Sequence, residues 1–215
     1  PLLALALDLL ILMLNPHALV VAMPLVFGWI ISPLVAYLIS RPIAHERASL
    51  PADQRQQLRR LARRTWLYFE RFVGPDDQWL PPDHFQEDPL GLVAHRTSPT
   101  NVGLHLLSAL AAYDMGYVGP LDLVLRLRPT LESMGKLERF RGHFLNWYDT
   151  RNLNPLTPRY VSSVDSGNLA GCLLALEQGC RAIPRAPIFC WRRWQGFLDT
   201  LGVLAEIVEG VKRQG

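Results

Sequence analysis

The residue types needed to hold a sugar are concentrated in one stretch, Arg141-Gly-His-Phe-Leu-Asn-Trp-Tyr-Asp-Thr-Arg-Asn-Leu-Asn-Pro-Leu-Thr-Pro-Arg-Tyr-Val-Ser-Ser-Val-Asp-Ser-Gly-Asn168. Flat aromatic faces stack on the apolar C–H face of a pyranose, and Asn, Asp, Arg and Ser side chains pair with its hydroxyls. The stretch has almost no aliphatic periodicity, and a long irregular loop in a helical domain is more often functional than a spacer. Asn146, Trp147, Tyr148 and Asp149 form its first cluster. Two aromatics flanked by Asn and Asp suit a sugar subsite; the plainer reading buries both rings and uses Asp149 to cap a turn. Arg159, Asp165, Ser166 and Asn168 form the second cluster, where Asp165 or Ser166 is a natural helix cap and Gly167 lets a ligand approach the backbone. A third group, Arg96, Thr97, Ser98 and Asn101, lies upstream in His95-Arg-Thr-Ser-Pro-Thr-Asn101. There Ser98 or Thr100 can cap the following helix, Pro99 suits its start, and Arg96 offers a five-donor fork to hydroxyls or a carboxylate.

Glycoside chemistry normally places two carboxyl groups across the scissile bond. Asp149 and Asp165 are the only acids in the loop, with Glu132 and Glu138 on the preceding helix. The two aspartates could form a catalytic pair, but nothing in their spacing requires it. Sugar binding is the favoured role for both.

These residues must be held by helices. Residues 52–73 have an amphipathic pattern, with Leu58, Leu61, Ala62, Thr65, Leu67, Phe69, Phe72 and Val73 largely on one side and arginines opposite. Residues 74–99 are Pro-rich and irregular. Further helices are expected over 100–115, ended by Gly116, over 121–139, interrupted or kinked at Pro129, over 166–180 and over 188–212. No alternation is long enough to build a sheet. Thr100-Asn-Val-Gly-Leu-His-Leu-Leu and Gly167-Asn-Leu-Ala-Gly-Cys-Leu-Leu match weakly, with Asn101 and Asn168 equivalent and 67 residues apart. That spacing suits helical hairpins repeated around a toroid. Four or five helices cannot close such a ring, so the chain is expected to be a piece of a larger protein.

The first forty residues are of another kind. From Leu9 to Ser40 there is no Asp, Glu, Lys or Arg, and the apolar run Ala18–Ile39 is 22 residues long. A bilayer core of about 30 Å needs roughly 20 helical residues. We read this run as a transmembrane helix, residues 1–14 as the tail of another, and Asn15-Pro16 as the turn between them. A signal peptide lacks support, since there is no basic leading segment and the apolar stretch is too long. Segment 41–74 is rich in arginine, which at a membrane exit favours the cytoplasmic side. The net charge of +3 is small, and no aromatic–basic interleaving accompanies it, so no nucleic-acid partner is expected. Cys172, Cys180 and Cys190 have no CxxC spacing and read as buried thiols; no metal site is visible.

Arg96-Thr-Ser-Pro-Thr-Asn101, Arg141-Gly-His-Phe-Leu-Asn-Trp-Tyr-Asp-Thr150 and Tyr160-Val-Ser-Ser-Val-Asp-Ser-Gly-Asn-Leu-Ala-Gly171 together resemble the glucoamylase-like central region of bacterial cyclic β-1,2-glucan synthases. The resemblance runs from the membrane helices to the end of the chain. Cys172 departs from it, since the resemblance implies a histidine there. It implies a large inner-membrane protein, an upstream region that extends the glucan from UDP-glucose, a central α/α toroid that cyclises it by transglycosylation, and a downstream phosphorylase-like region. The catalytic glutamates would then lie beyond Gly215, and this chain would need no cofactor of its own.

The expected architecture is therefore all-α: one or two transmembrane helices within 1–40, a basic juxtamembrane helix in 41–74, and the opening part of an incomplete (α/α)6 toroid in 75–215. The expected partners are a β-1,2-glucan chain, the lipid bilayer and the remainder of the parent polypeptide, with the soluble part in the cytoplasm. The rival readings are a glucanase or glucan phosphorylase on a similar toroid, and a non-catalytic, membrane-tethered glucan-binding module.

Overall fold

The apolar N-terminal residues and the mixed remainder separate into two compact units, residues 1–49 and 50–215. The computed structural model describes residues 2–41, 50–187 and 190–214. In the first unit, α1 (Leu2–Leu14) leads through a 3-10 turn at Pro16–Ala18 into α2 (Leu19–Ile39). With the turn, α2 forms a 24-residue span of mean hydropathy 2.2 that is almost wholly exposed. It is the one described helix long and apolar enough to cross a bilayer. Helix α1 has thirteen residues in this chain. Arg47, in the arginine-rich segment 41–74, lies outside the described residues.

The second unit contains α3 (Ala52–Phe72), α4 (Pro99–Met115), α5 (Pro120–Lys136), α6 (Ser163–Ala182) and α7 (Trp191–Gln214). Helices α3 to α6 lie within three residues of the bounds expected from sequence. Pro129 does not interrupt α5, which runs on to Lys136 and then stops short of Arg139. The irregular segments hold three antiparallel ladders only two residues long: β1 (Phe85–Gln86) with β2 (Leu92–Val93), β3 (Arg96–Thr97) with β6 (Tyr148–Asp149), and β4 (Arg139–Phe140) with β5 (His143–Phe144). Strands this short leave no alternation to read.

Helix α4 is the centre of the unit. It buries Val102, Gly103, His105, Leu106, Ala109 and Ala112, and it touches α3, α5, α6 and α7. Its start is fixed by Ser98, whose Oγ accepts from Asn101 N at 3.2 Å, with Pro99 in the first turn. Its end is fixed by Gly116 at φ 82°, where other residues are strained. The most extensive helix contact is between α4 and α6. A Cβ on Gly103 would sit 3.0 Å from Cys172 Sγ, and a Cβ on Gly179 would run into the Leu110 side chain. The contact thus advances seven residues on both helices, from 103 to 110 and from 172 to 179, so α4 and α6 are parallel. Helix α5 lies between them in sequence, as in an α/α repeat.

The arginines of α3 are not a free basic face. Arg59 pairs with Asp199 (2.7 Å), Arg60 and Arg64 both pair with Glu206 (2.6 Å each), and Arg63 donates to Thr200 Oγ1 (2.9 Å) and pairs with Glu70. Four of them therefore join α3 to α7. The opposite side of α3 presents Leu58, Leu61, Trp66 and Phe69 to a cleft of about 300 Å³ against α4.

Candidate functional site

Because α4 and α6 run parallel, their N-termini lie together, and the polar loops that precede them meet there. Ser162 caps α6, its Oγ accepting from Asp165 N at 3.1 Å. This corrects the expectation that Asp165 or Ser166 would be the cap: the helix begins three residues earlier, and Asp165 sits in its first turn. There an acidic side chain complements the helix dipole. Thr100 Oγ1, from the first turn of α4, donates to Asp165 Oδ1, and Asn168 Nδ2 donates to Thr100 Oγ1 at 3.1 Å.

From Asp165 the network continues into the loop. The Asn146 amide nitrogen donates to Asp165 Oδ2 (3.0 Å), while its oxygen accepts from Tyr160 Oη (2.7 Å) and Trp147 Nε1 (2.5 Å). The amide orientation is assigned from these partners, since the reverse would set its nitrogen against the indole N–H. The Trp147 ring carries Arg96 at 5.1 Å from its centroid. Arg96 also grips Asp83 Oδ2 through Nε (3.2 Å) and Nη2 (3.0 Å), and Asn101 Nδ2 donates to Asp83 Oδ1 (3.1 Å). Burial works against ionisation of Asp83, but the bonds from Asn101, Arg96 and His84 prevail and hold its carboxyl below the usual range.

Of the twelve residues singled out above, the structure links Arg96, Asn101, Asn146, Trp147, Asp165 and Asn168 in one continuous cluster. It places the others differently. Tyr148 is 1% exposed; its Oη accepts from Leu145 N and donates to Glu138 O, both at 2.6 Å. Its ring offers no face to a ligand, so the plainer reading of that aromatic holds. Thr97 and Ser98 are buried, Ser98 as the cap of α4. Ser166 Oγ is buried without a hydrogen-bond partner among the described residues. Arg159 pairs with Glu138 on the far side of Tyr160. Asp149 accepts from Arg151 N (2.9 Å) and Asn152 N (3.3 Å) in its own turn. Its burial opposes ionisation, yet these N–H groups and the Arg151 side chain hold its carboxyl below the usual range. Asp149 faces Arg96 across the β3–β6 ladder but spends its carboxylate locally.

Three participants were missed from sequence. Asp83 lies in the Pro-rich segment, where no periodicity marks it. Tyr160 opens the Tyr160–Gly171 motif, but nothing in its spacing marks a role for it. Asp77, 6% exposed, accepts from His95 Nδ1 (2.8 Å) and from Thr150 Oγ1. With Thr150 N donating to His95 O (3.1 Å), this buried knot fixes the β3–β6 ladder that carries Arg96 and Asp149. Among the described residues, no group of three or more His, Cys, Asp or Glu side chains could hold a metal ion.

No family model matches the chain. It is 43% identical over 190 residues to the cyclic beta-(1,2)-glucan synthase NdvB of Rhizobium meliloti (strain 1021). Over that span the chain is homologous to a cyclic β-(1,2)-glucan synthase. The match takes in 88% of this chain and 7% of the synthase, so the chain spans a small part of its relative's length. In three dimensions it is similar to the crystal structure of a Bacteroides fragilis NCTC 9343 protein assigned as a glucoamylase, with a TM-score of 0.51 and 19% identity, covering 74% of this chain and 37% of that one. This likeness concerns the fold: the helical unit is part of an all-α, glucoamylase-like toroid. The glucan-synthase relationship accords with the resemblance drawn from the three motifs.

Proposed function

We propose that the Asp83–Arg96–Trp147–Asn146–Asp165 network is one wall of a glucan-binding cleft in the cyclising, transglycosylating region of a membrane-bound cyclic β-1,2-glucan synthase. One observation carries the reading: an aromatic ring, an arginine fork, three amides and two carboxylates are held in a single network at the joined N-termini of two parallel helices. Such groups are fixed in place before a sugar arrives, which lowers the ordering cost of binding. Asp83 is held ionised, and so suits the acceptance of hydrogen bonds from sugar hydroxyls rather than the donation of a proton to a leaving group. We assign the bond-cutting carboxyls to parts of the parent enzyme outside this chain.

In this reading α2 anchors the protein in the inner membrane with the soluble unit in the cytoplasm, where UDP-glucose would serve the parent enzyme as donor. The test is made in that enzyme. Trp147→Ala should impair ring closure while elongation from UDP-glucose continues, measured as the ratio of cyclic to linear radiolabelled glucan. Loss of elongation with cyclisation intact would assign this cleft to the wrong reaction.

A further inference from the structure

A second cleft, of about 350 Å³, lies beside the network and is lined by Glu138, Arg139, Phe140, Arg159 and Tyr160 among others. Its walls are built, not incidental. On one side, β4 and β5 form a hairpin whose central residues Arg141 and Gly142 both have positive φ, 51° and 87°, as the tight primed turns require. The hairpin is stiffened by Arg139 over the Phe144 ring (4.3 Å to its centroid) and by Arg141 over Phe140 (5.4 Å). On the other side, residues 159–161 are tied back by Asn146 N donating to Tyr160 O at 2.8 Å. The Glu138–Arg159 ion pair joins the two sides. Phe140 and Tyr160 are 57% and 49% exposed, so two apolar ring faces meet solvent within reach of a charged pair that can both donate to and accept from hydroxyls.

Tyr160 belongs to both places. Its hydroxyl donates to Asn146 in the network, and its ring lines this cleft. We propose that this cleft is a further pyranose subsite, taking later units of the same glucan chain that the Trp147 cluster holds. The inference rests on the glucan-binding reading given above. A volume near 350 Å³ is of the size used for small ligands and accommodates one or two sugar units.

The test uses the full-length parent enzyme in lipid nanodiscs and a ladder of linear β-1,2-gluco-oligosaccharides, from two units to about seven, titrated by isothermal calorimetry. Wild-type affinity should rise with length. Phe140→Ala and Arg159→Gln alter exposed side chains and leave the core untouched. Each should lower affinity for the longest ligands by on the order of fivefold, the scale of one lost aromatic or charged contact, while the disaccharide is unaffected. Trp147→Ala should weaken ligands of every length. If Trp147→Ala acts as stated and neither cleft variant changes the length dependence, the subsite is refuted and the glucan-binding reading stands. If Trp147→Ala and both cleft variants bind the whole ladder as the wild-type enzyme does, both fall.

Discussion

His105 gives the sharpest quantitative expectation. It lies on α4 with no exposed surface, its ring 5.4 Å from that of Phe69 and its Nε2 3.4 Å from Thr130 Oγ1. Nδ1 has no partner among the described residues. Burial, and then the positive charge of Arg126, push its pKa down to about 4. The unfolded chain, with an ordinary histidine near 6.5, takes up the proton first as pH falls. The neutral ring's contribution is thus fully present above about pH 6.5, is lost on acidification, and stops changing below about pH 4. Between pH 7.5 and pH 5 the loss amounts to about 2 kcal/mol, rising to about 3 kcal/mol at the lower limit. For a unit of this size, 2 kcal/mol corresponds to a fall in Tm of roughly 4–8 °C. Thermal unfolding followed by tryptophan emission at both pH values measures it, with His105→Gln as the non-titrating comparison. The variant should be less stable at pH 7.5 but lose about 2 kcal/mol less on acidification. Equal losses in the two proteins would mean that His105 titrates normally, and the account of a desolvated α4 core would be wrong.

Further expectations separate buried from exposed interactions. Asp199→Asn strips the carboxylate from Arg59, which also donates to Met115 O (3.0 Å), and should cost about 3 kcal/mol in urea melts. Arg128→Ala, which breaks the solvent-exposed pair with Glu132, should cost no more than about 0.5 kcal/mol. Gly103→Ala pushes a methyl against Cys172 Sγ and Cβ and should destabilise by about 1 kcal/mol despite the better helix former; the double variant with Cys172→Ala relieves the Sγ contact but keeps Cβ at 3.1 Å, and should recover part of that loss, measured as a double-mutant cycle. Ser98→Ala should cost about 1 kcal/mol and speed amide exchange at Asn101, whose N–H is left without its acceptor.

The helices were legible because burial imposes a 3.6-residue period, and α3 to α6 fall where that period puts them. The loop and the upstream segment 95–101 were legible as clusters of sugar-compatible residue types, and six of the twelve residues named from them do meet. What sequence could not supply was the partner of each group. Tyr148 has the same composition-level signature as Trp147, but one ring fills the core and the other sits beside Arg96. The difference lies in the side to which each residue points: Tyr148 opens β6 and Trp147 lies just before it, and a strand this short shows no alternation. The arginines of α3 read as a membrane-proximal charge patch because Asp199 and Glu206 lie well over a hundred residues away. The start of α6 was placed late because Ser162, Asp165 and Ser166 are all competent caps, and only the geometry selects Ser162.

The weak match between the segments opening at Thr100 and Gly167 takes on a physical meaning from the packing. Helices α4 and α6 advance together in parallel, so the two segments open neighbouring helices at the same end of the unit. The two are not used alike. Asn101 donates across to Asp83 in the Pro-rich segment, whereas Asn168 donates back to Thr100 on the other helix. A parallel repeat brings helix N-termini to one end, and each N-terminus leaves first-turn N–H groups that polar side chains must satisfy. Loops preceding such helices are therefore drawn toward polar composition at that end whatever they bind. The composition alone is thus weak support for a sugar site. The stronger support is that Trp147, whose indole adds nothing to capping, is held at that end by Asn146 on one edge and Arg96 on one face.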